Sequence, residues 1–464
     1  VAATVAVVVA ATAAVAVGVV DGAPRLMAGP EPDVELTTTA SGVRVVSERM
    51  PEARSVSIGV WVGVGSRDEP GELAGASHFL EHLLFKGTDT RAARELAMAV
   101  EARGGEMNAY TSRESTVFYL RLPSKHLEFG LDLLADVVTA PALRPDEVDA
   151  EREVILEELA MAVDTPDDLV AIRLYEHLFA GHPLGRETLG DEDTLASLTP
   201  DEIRAFHQQW YRPANLVVGV AGACSHADVN AMLDRSALSA NGKIDGDRPR
   251  RAAPDHLGAP LVVEPRPIEQ VHVALGWAGL PQHDPDRYAL AVANQILGGG
   301  MSSRLFQEIR EQRGLAYTVY SSHSMFSDCG VQSIYAGTSP QRLDEVLTVI
   351  DEVIDEVLAH GISIEEYDVA LGYIEGATLL GLEDSGSRMS RIGSSLLARD
   401  EVVPVDEQLT RLRAVTLDDI DAVLHRVLCA PRVLSAVGAC APRDSALTSS
   451  VERANARIAT VAAT

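Results

Sequence analysis

The stretch Val56-Ser-Ile-Gly-Val60, with Pro70 beyond it, returns as Val271-His-Val-Ala-Leu275 with Pro285 beyond it, both pairs 215 residues apart. In the same order, Leu198-Thr-Pro-Asp-Glu-Ile203 leading to Asn215-Leu-Val-Val-Gly-Val-Ala-Gly222 is echoed by Val415-Thr-Leu-Asp-Asp-Ile420 leading to Arg432-Val-Leu-Ser-Ala-Val-Gly438. A period of this length is far beyond that of a solenoid repeat, so it marks one domain fold present twice. Two such copies can face each other across a cleft, and clefts between domains are where ligands sit.

Around these anchors the text is ordinary globular α/β sequence. Gly42 to Ser47, Val56 to Val64 and Thr116 to Leu122 are rich in β-branched residues between turn formers and read as strands. Met98 to Ala102, Leu127 to Val138 and Asp146 to Val163 carry apolar residues at three- and four-residue spacing and read as helices. Hydrophobic pattern gives way to Gly, Asp, Arg and Pro around Asn241 to Pro260, which reads as an interdomain connector. The expected organisation is an N-terminal extension over 1–34, a first domain over 35–240, the connector over 241–260, a second domain over 261–445 and a tail over 446–464.

The 464 residues are 46% hydrophobic, enough for more than one core, which excludes a disordered or collagen-like chain. A formal charge of −29 repels nucleic-acid backbones from most of the surface, so no nucleic-acid partner is expected. Four cysteines without a CxxC pair fit a reducing compartment, and the expected location is cytoplasmic. Val1 to Val20 is almost entirely Ala and Val and long enough to span a bilayer, but no basic residues flank it. It is read as a disordered extension, with a signal or anchor as the alternative, and no stable membrane association is expected.

Chemistry concentrates in Gly75-Ala-Ser-His-Phe-Leu-Glu-His-Leu-Leu-Phe-Lys-Gly87, a run of helix formers stopped by glycine. On a helix, His78 and His82 stand one turn apart on one face, with Glu81 three residues after the first. This is H-x-x-E-H, the inverted zincin motif. Catalytic zinc takes three protein ligands, leaves a position for water, and needs a nearby carboxylate to accept that water's proton. Glu81 is placed for that task. The competing reading makes Phe79, Leu80, Leu83, Leu84 and Phe85 a core face, under a solvated strip of His78, Glu81 and His82.

A third ligand is sought in Glu151-Arg-Glu-Val-Ile-Leu-Glu-Glu-Leu159, an acidic helix on which Val154, Ile155 and Leu159 mark the buried side. Glu151 and Glu158 are seven apart and share one stripe. Acidic helices are common in so acidic a chain, and spacing alone does not choose between the two carboxylates.

Over about residues 35 to 445 the chain resembles the two-domain M16 metallopeptidases, the family of mitochondrial processing peptidase and its bacterial relatives. In that family the third ligand is a Glu 76 residues past the second His, which implies Glu158 here, with Glu151 supporting the site without binding metal. The resemblance implies an α+β fold of two homologous α/β-sandwich domains, each a mainly antiparallel sheet packed with helices. It further implies one Zn2+ per chain in the first domain, a metal-free second domain, and a homodimer.

Gly104-Gly-Glu-Met-Asn-Ala-Tyr-Thr-Ser-Arg-Glu114 resembles the family's substrate-holding edge strand, in which the backbone of Asn108, Ala109 and Tyr110 pairs with an extended peptide. The alternating residues from Val117 to Leu120 independently suit a strand near a sheet edge. His182-Pro-Leu-Gly-Arg186 resembles another family signature.

The offset of 215 carries His78 through His82 onto Ala293-Asn-Gln-Ile-Leu297, and aligning Glu147-Val-Asp149 with Glu366-Tyr-Asp368 puts Ala377 where Glu158 would stand, so the second copy holds no metal. Gly298-Gly-Gly300 lacks the Lys-Ser/Thr of a phosphate loop and reads as a tight turn or close packing. By resemblance, Arg310 and Tyr317 reach across the cleft to the substrate and the developing oxyanion, as their donor groups would allow. The expected function is a zinc endopeptidase acting on short or unfolded peptides bound as an extended strand in the interdomain cleft. The alternative is a non-catalytic scaffold or partner subunit of a peptidase complex.

Overall fold

Segments rich in Val and Ile with period-two alternation become strands because the pleat sends successive side chains to opposite faces. The computed structural model describes residues 34–239, 248–255 and 257–462, so the extension before residue 34 and part of the connector lie outside the described residues. The first sheet comprises β1 (Val34–Thr38), β2 (Arg44–Arg49), β3 (Ser55–Val62), β4 (Glu106–Thr111), β5 (Thr116–Pro123) and β6 (Leu216–Gly222), in spatial order β1-β2-β6-β3-β5-β4. Its helices are α1 (Ala76–Leu84), α2 (Ala93–Glu101), α3 (Leu127–Thr139), α4 (Pro145–Asp164), α5 (Pro166–Leu178), α6 (Glu192–Ser197), α7 (Pro200–Trp210) and α8 (His226–Leu233).

The second sheet comprises β7 (Leu261–Pro265), β8 (Val271–Gly279), β9 (Ala316–Met325), β10 (Gly330–Thr338) and β11 (Arg432–Gly438), in order β7-β11-β8-β10-β9. With it go α9 (Arg287–Gly298), α10 (Leu343–His360), α11 (Ile364–Gly381), α12 (Ser385–Arg399), α13 (Val405–Arg413), α14 (Leu417–Leu428) and α15 (Ser445–Ala462). Strand for strand, this sheet repeats β2-β6-β3-β5-β4, and in both the one parallel pair is the same, β2 with β6 and β7 with β11. The duplication read from the offset is therefore a duplication of topology.

Each sheet is covered on both faces, and the second cover comes from the other half. On β3, Val56, Ile58, Val60 and Val62 enter the first core, whereas Trp61 points to the opposite face. There Met389, Ile392 and Leu396 of α12 pack on Val46, Trp61, Val117, Val217 and Ala221. In exchange, Leu169, Val170 and Leu174 of α5 pack on Ala274, Val331, Val433 and Val437 of the second sheet. Full burial of such side chains contributes about 1.5–3 kcal/mol each.

Glycines make room for this exchange. The Trp61 ring fills the space above Gly59, Gly219 and Gly393, and a Cβ on Gly393 would lie 2.3 Å from it. A Cβ on Gly276 would lie 2.9 Å from Leu174. Helices α5 and α12 thus fill the seam behind the two sheets.

Three local readings meet the structure differently. The expected tail is α15, with Ala446, Leu447 and Ala454 buried against the second half and Arg453 paired to the buried Asp351 at 2.8 Å. The triple glycine closes α9, and a Cβ on Gly298 would lie 2.5 Å from the Ser321 backbone nitrogen, so close packing explains it. On α4, Val154 is 44% exposed, because the helix is rotated to bury Val148, Glu151, Ile155 and Leu159 instead. Among the described residues, no helix is long and apolar enough to cross a membrane.

Candidate metal centre

Phe79, Leu80, Leu83 and Leu84 anchor α1 in the first core, which turns His78, Glu81 and His82 toward α4, β4 and β5. The residue before the helix is Gly75, whose φ of 95° places it in the left-handed region that glycine tolerates. Opposite, Pro145 starts α4, and burial of Ile155 and Leu159 fixes its rotation so that Glu151 and Glu158 both face α1.

The Nε2 atoms of His78 and His82 lie 3.7 and 3.4 Å from Glu158 Oε2, and the three ligand atoms fall within 4.8 Å of one another. Zinc with ligand bonds near 2.0–2.1 Å in tetrahedral array sets its ligand atoms roughly 3.4 Å apart, so this donor set fits that ion with little movement. Glu151 Oε1 lies 2.8 Å from His82 Nδ1, and its Oε2 pairs with Lys86 Nζ. Holding Nδ1 as a donor leaves Nε2 free for a metal, the usual arrangement behind a histidine ligand.

Charge within the cluster follows from these contacts. Burial and the neighbouring His82 hold His78 down to about 4. Burial alone would lower His82 too, but hydrogen bonds to Glu151 and Glu158 override it and raise this imidazole to about 9. Burial pushes Glu158 up, yet its contacts with His82 outweigh that and keep the carboxyl below its ordinary value. Glu81 is 6% exposed, and burial raises its pKa against the opposing hydrogen bond from Thr111 Oγ1 to Oε2 at 2.6 Å.

Of the residues read from the sequence, the structure brings together His78, His82, Glu158, Glu151 and Glu81. Asn108, Ala109 and Tyr110 lie on β4, the edge strand beside them. Alternation buries Ala109 in the first core and leaves Asn108 and Tyr110 exposed, so what the three share is the backbone edge. Arg310 and Tyr317 form a separate pair on the second half. The guanidinium stands 4.8 Å from the Phe306 ring and 4.6 Å from that of Tyr317, on a π-helical turn spanning Phe306–Gln312. Among the described residues, no hydrogen bond or ion pair joins either to the histidine cluster. His182 and Arg186 brace loops, through Ala252 O at 2.9 Å and Glu69 O at 2.9 Å.

Three residues escaped the sequence reading. Thr111 orients Glu81, and it directly follows Tyr110 on the strand face that Ala109 shares. Lys86 neutralises Glu151, and its spacing of four from His82 was the available signal. Glu69 binds the start of α1, nine residues before His78, at a place no periodicity reveals. Its buried carboxyl is raised to about 7 by desolvation, against hydrogen bonds from the Ser77 and Gly75 backbones.

Two family models match the chain: insulinase (peptidase family M16) over residues 44–192, and the peptidase M16 inactive domain over residues 197–371. An "uncharacterized zinc protease" of Streptomyces coelicolor is 43% identical over 411 residues, 87% of this chain and 89% of that protein. One so named in Bacillus subtilis is 38% identical over 394 residues, 84% and 94% of the two chains. Among solved structures, a protease from Helicobacter pylori superposes with a TM-score of 0.82 at 23% identity, over 88% of this chain and 100% of the other, which shows the fold. Matched by both halves of the family description and by relatives across more than four fifths of its length, the chain belongs to peptidase family M16.

Proposed function

We propose that the protein is a zinc-dependent endopeptidase that hydrolyses short or unfolded peptides held as an extended strand in a cleft between its halves. The observation that carries this reading is the convergence of His78 Nε2, His82 Nε2 and Glu158 Oε2 within 4.8 Å, beside a buried Glu81 from the same helix. These three side chains would hold the ion. When bound, zinc supplies Lewis-acid polarisation and lowers the pKa of water to about 7.

The chain's own groups do the rest. Glu81 takes the proton of the attacking water and later gives it to the departing amine. Thr111 occupies Oε2, which leaves Oε1 to move that proton. A carboxyl whose pKa is raised by burial holds the proton between the two transfers. Glu151, neutralised by Lys86, keeps the His82 ring oriented.

The peptide aligns on the outer edge of β4, an arrangement in which main-chain hydrogen bonds supply affinity. Ala109 N–H donates to Asn108 Oδ1 at 2.8 Å, a bond that a peptide carbonyl would replace. Along β4 the path leads to the tip at Ser112 and Ser115, where Glu114 accepts from Ser327 of the second half. Arg310 and Tyr317 enter the proposal as second-half donors to the substrate, and a homodimer belongs to it as well. Exposed Val369, Tyr373 and Leu380 share one face of α11 and are the apolar surface a second copy would cover, which a sedimentation mass tests.

The test is mass spectrometry of products from a defined mixture of unstructured peptides, with and without chelator. Internal cuts that stop with chelator and return with zinc are expected. An intact mixture beside zinc-loaded protein would instead favour a non-catalytic subunit.

A further inference from the structure

Glu69 is a 4% exposed carboxylate with no contact to a metal ligand, yet both of its oxygens are spent on the helix that carries two of them. Oε2 accepts from Gly75 N at 2.8 Å and Oε1 from Ser77 N at 2.7 Å. The first N–H groups of a helix have no partner within it. Here the residue before α1 is glycine, with no side chain to serve as cap. The acceptor is brought from six residues upstream, and its two oxygens take the place of the missing cap.

Glu69 is itself held on three sides. Its carbonyl accepts from Arg186 Nη2 at 2.9 Å. The preceding Asp68 binds Arg251 of the connector through two contacts of 2.8 Å. Arg67, 4% exposed, reaches Glu114 and Asp328 at 2.5 Å each and Ala252 O at 2.8 Å. Gly75 has no freedom on its far side, since a Cβ there would lie 2.5 Å from Leu189 O. The first turn of α1 is therefore clamped at its backbone, one residue before His78.

We propose that Glu69 is a positioning residue for the metal centre: it fixes the first turn of α1 so that His78 meets Glu158 in register with His82. This rests on the zinc-peptidase reading above. A cap that served stability alone would change the melting temperature and nothing at the site.

The test compares wild type with Glu69→Gln, which keeps size but replaces one acceptor by a donor facing an N–H group. Zinc affinity is measured by competition with a chromophoric chelator, kcat and KM with a quenched peptide, and folding by circular dichroism. Zinc affinity is expected to fall about ten- to a hundredfold, the range for residues that orient metal ligands, with lower kcat and little change in KM. Glu69→Asp, which keeps the charge with a shorter reach, is expected to recover part of both, and decides the matter if the Gln variant does not fold. Wild-type zinc affinity and kcat in a folded variant, with only a lower melting temperature, would overturn the proposal. Wild type that neither binds zinc nor cleaves would sink the underlying function instead.

Discussion

His82 is where the proton and the metal compete. Its imidazole, raised to about 9 by Glu151 and Glu158, is protonated at pH 7, whereas His78, held at about 4, is already neutral. Zinc takes only the neutral ring, so uptake at pH 7 is expected to release about one proton, and affinity is expected to fall about tenfold for each pH unit below about 9. Isothermal titration in buffers of different ionisation enthalpy reads this directly. Heat independent of the buffer would contradict it. For folding the sign is opposite: the raised pKa stabilises the metal-free protein fully below about 6.5, and that contribution is lost as pH rises through about 9. At this scale the two histidines and Glu81 were legible, because i, i+3 and i+4 spacing on one helix is a local fact. Thr111, Lys86 and Glu69 act on groups whose neighbourhood only the fold creates.

Elements set which atoms reach the site. Helix α4 was legible almost to the residue, since Pro145 starts it and Pro166 opens the next helix. Its rotation was not, because apolar spacing alone made Val154 a core residue while the fold buries Glu151 instead. Strand β4 was legible as a strand near an edge, and its outer edge is unpaired in the sheet order. If peptides bind there by strand pairing, N-methylation of successive substrate amides should raise KM at every second position only, the period of a ladder. Kinetics on a methylation series check this, and equal losses at adjacent positions would contradict it.

Across the whole molecule the halves are bound by exchange of equivalent helices, α5 onto the second sheet and α12 onto the first. The offset of 215 disclosed two copies but not this exchange, because an amphipathic pattern does not say which sheet its apolar stripe will cover. Positions matching the histidines, Ala293 and Leu297, are 2% and 3% exposed, so the second copy spends them on its core. Gly393→Ala sets a methyl against the Trp61 ring and should cost about 1–3 kcal/mol, seen as a lower urea midpoint with zinc still bound. An unchanged midpoint would mean that the seam contributes little.

The central claim is that two imidazoles of α1 and one carboxylate of α4 hold a single zinc ion while Glu81 moves the proton. The most direct measurement is zinc stoichiometry together with peptide turnover in wild type, Glu158→Gln and Glu81→Gln. One zinc and turnover are predicted for wild type, loss of both for Glu158→Gln, and one zinc without turnover for Glu81→Gln. Full zinc in Glu158→Gln, or turnover surviving in Glu81→Gln, would contradict the account.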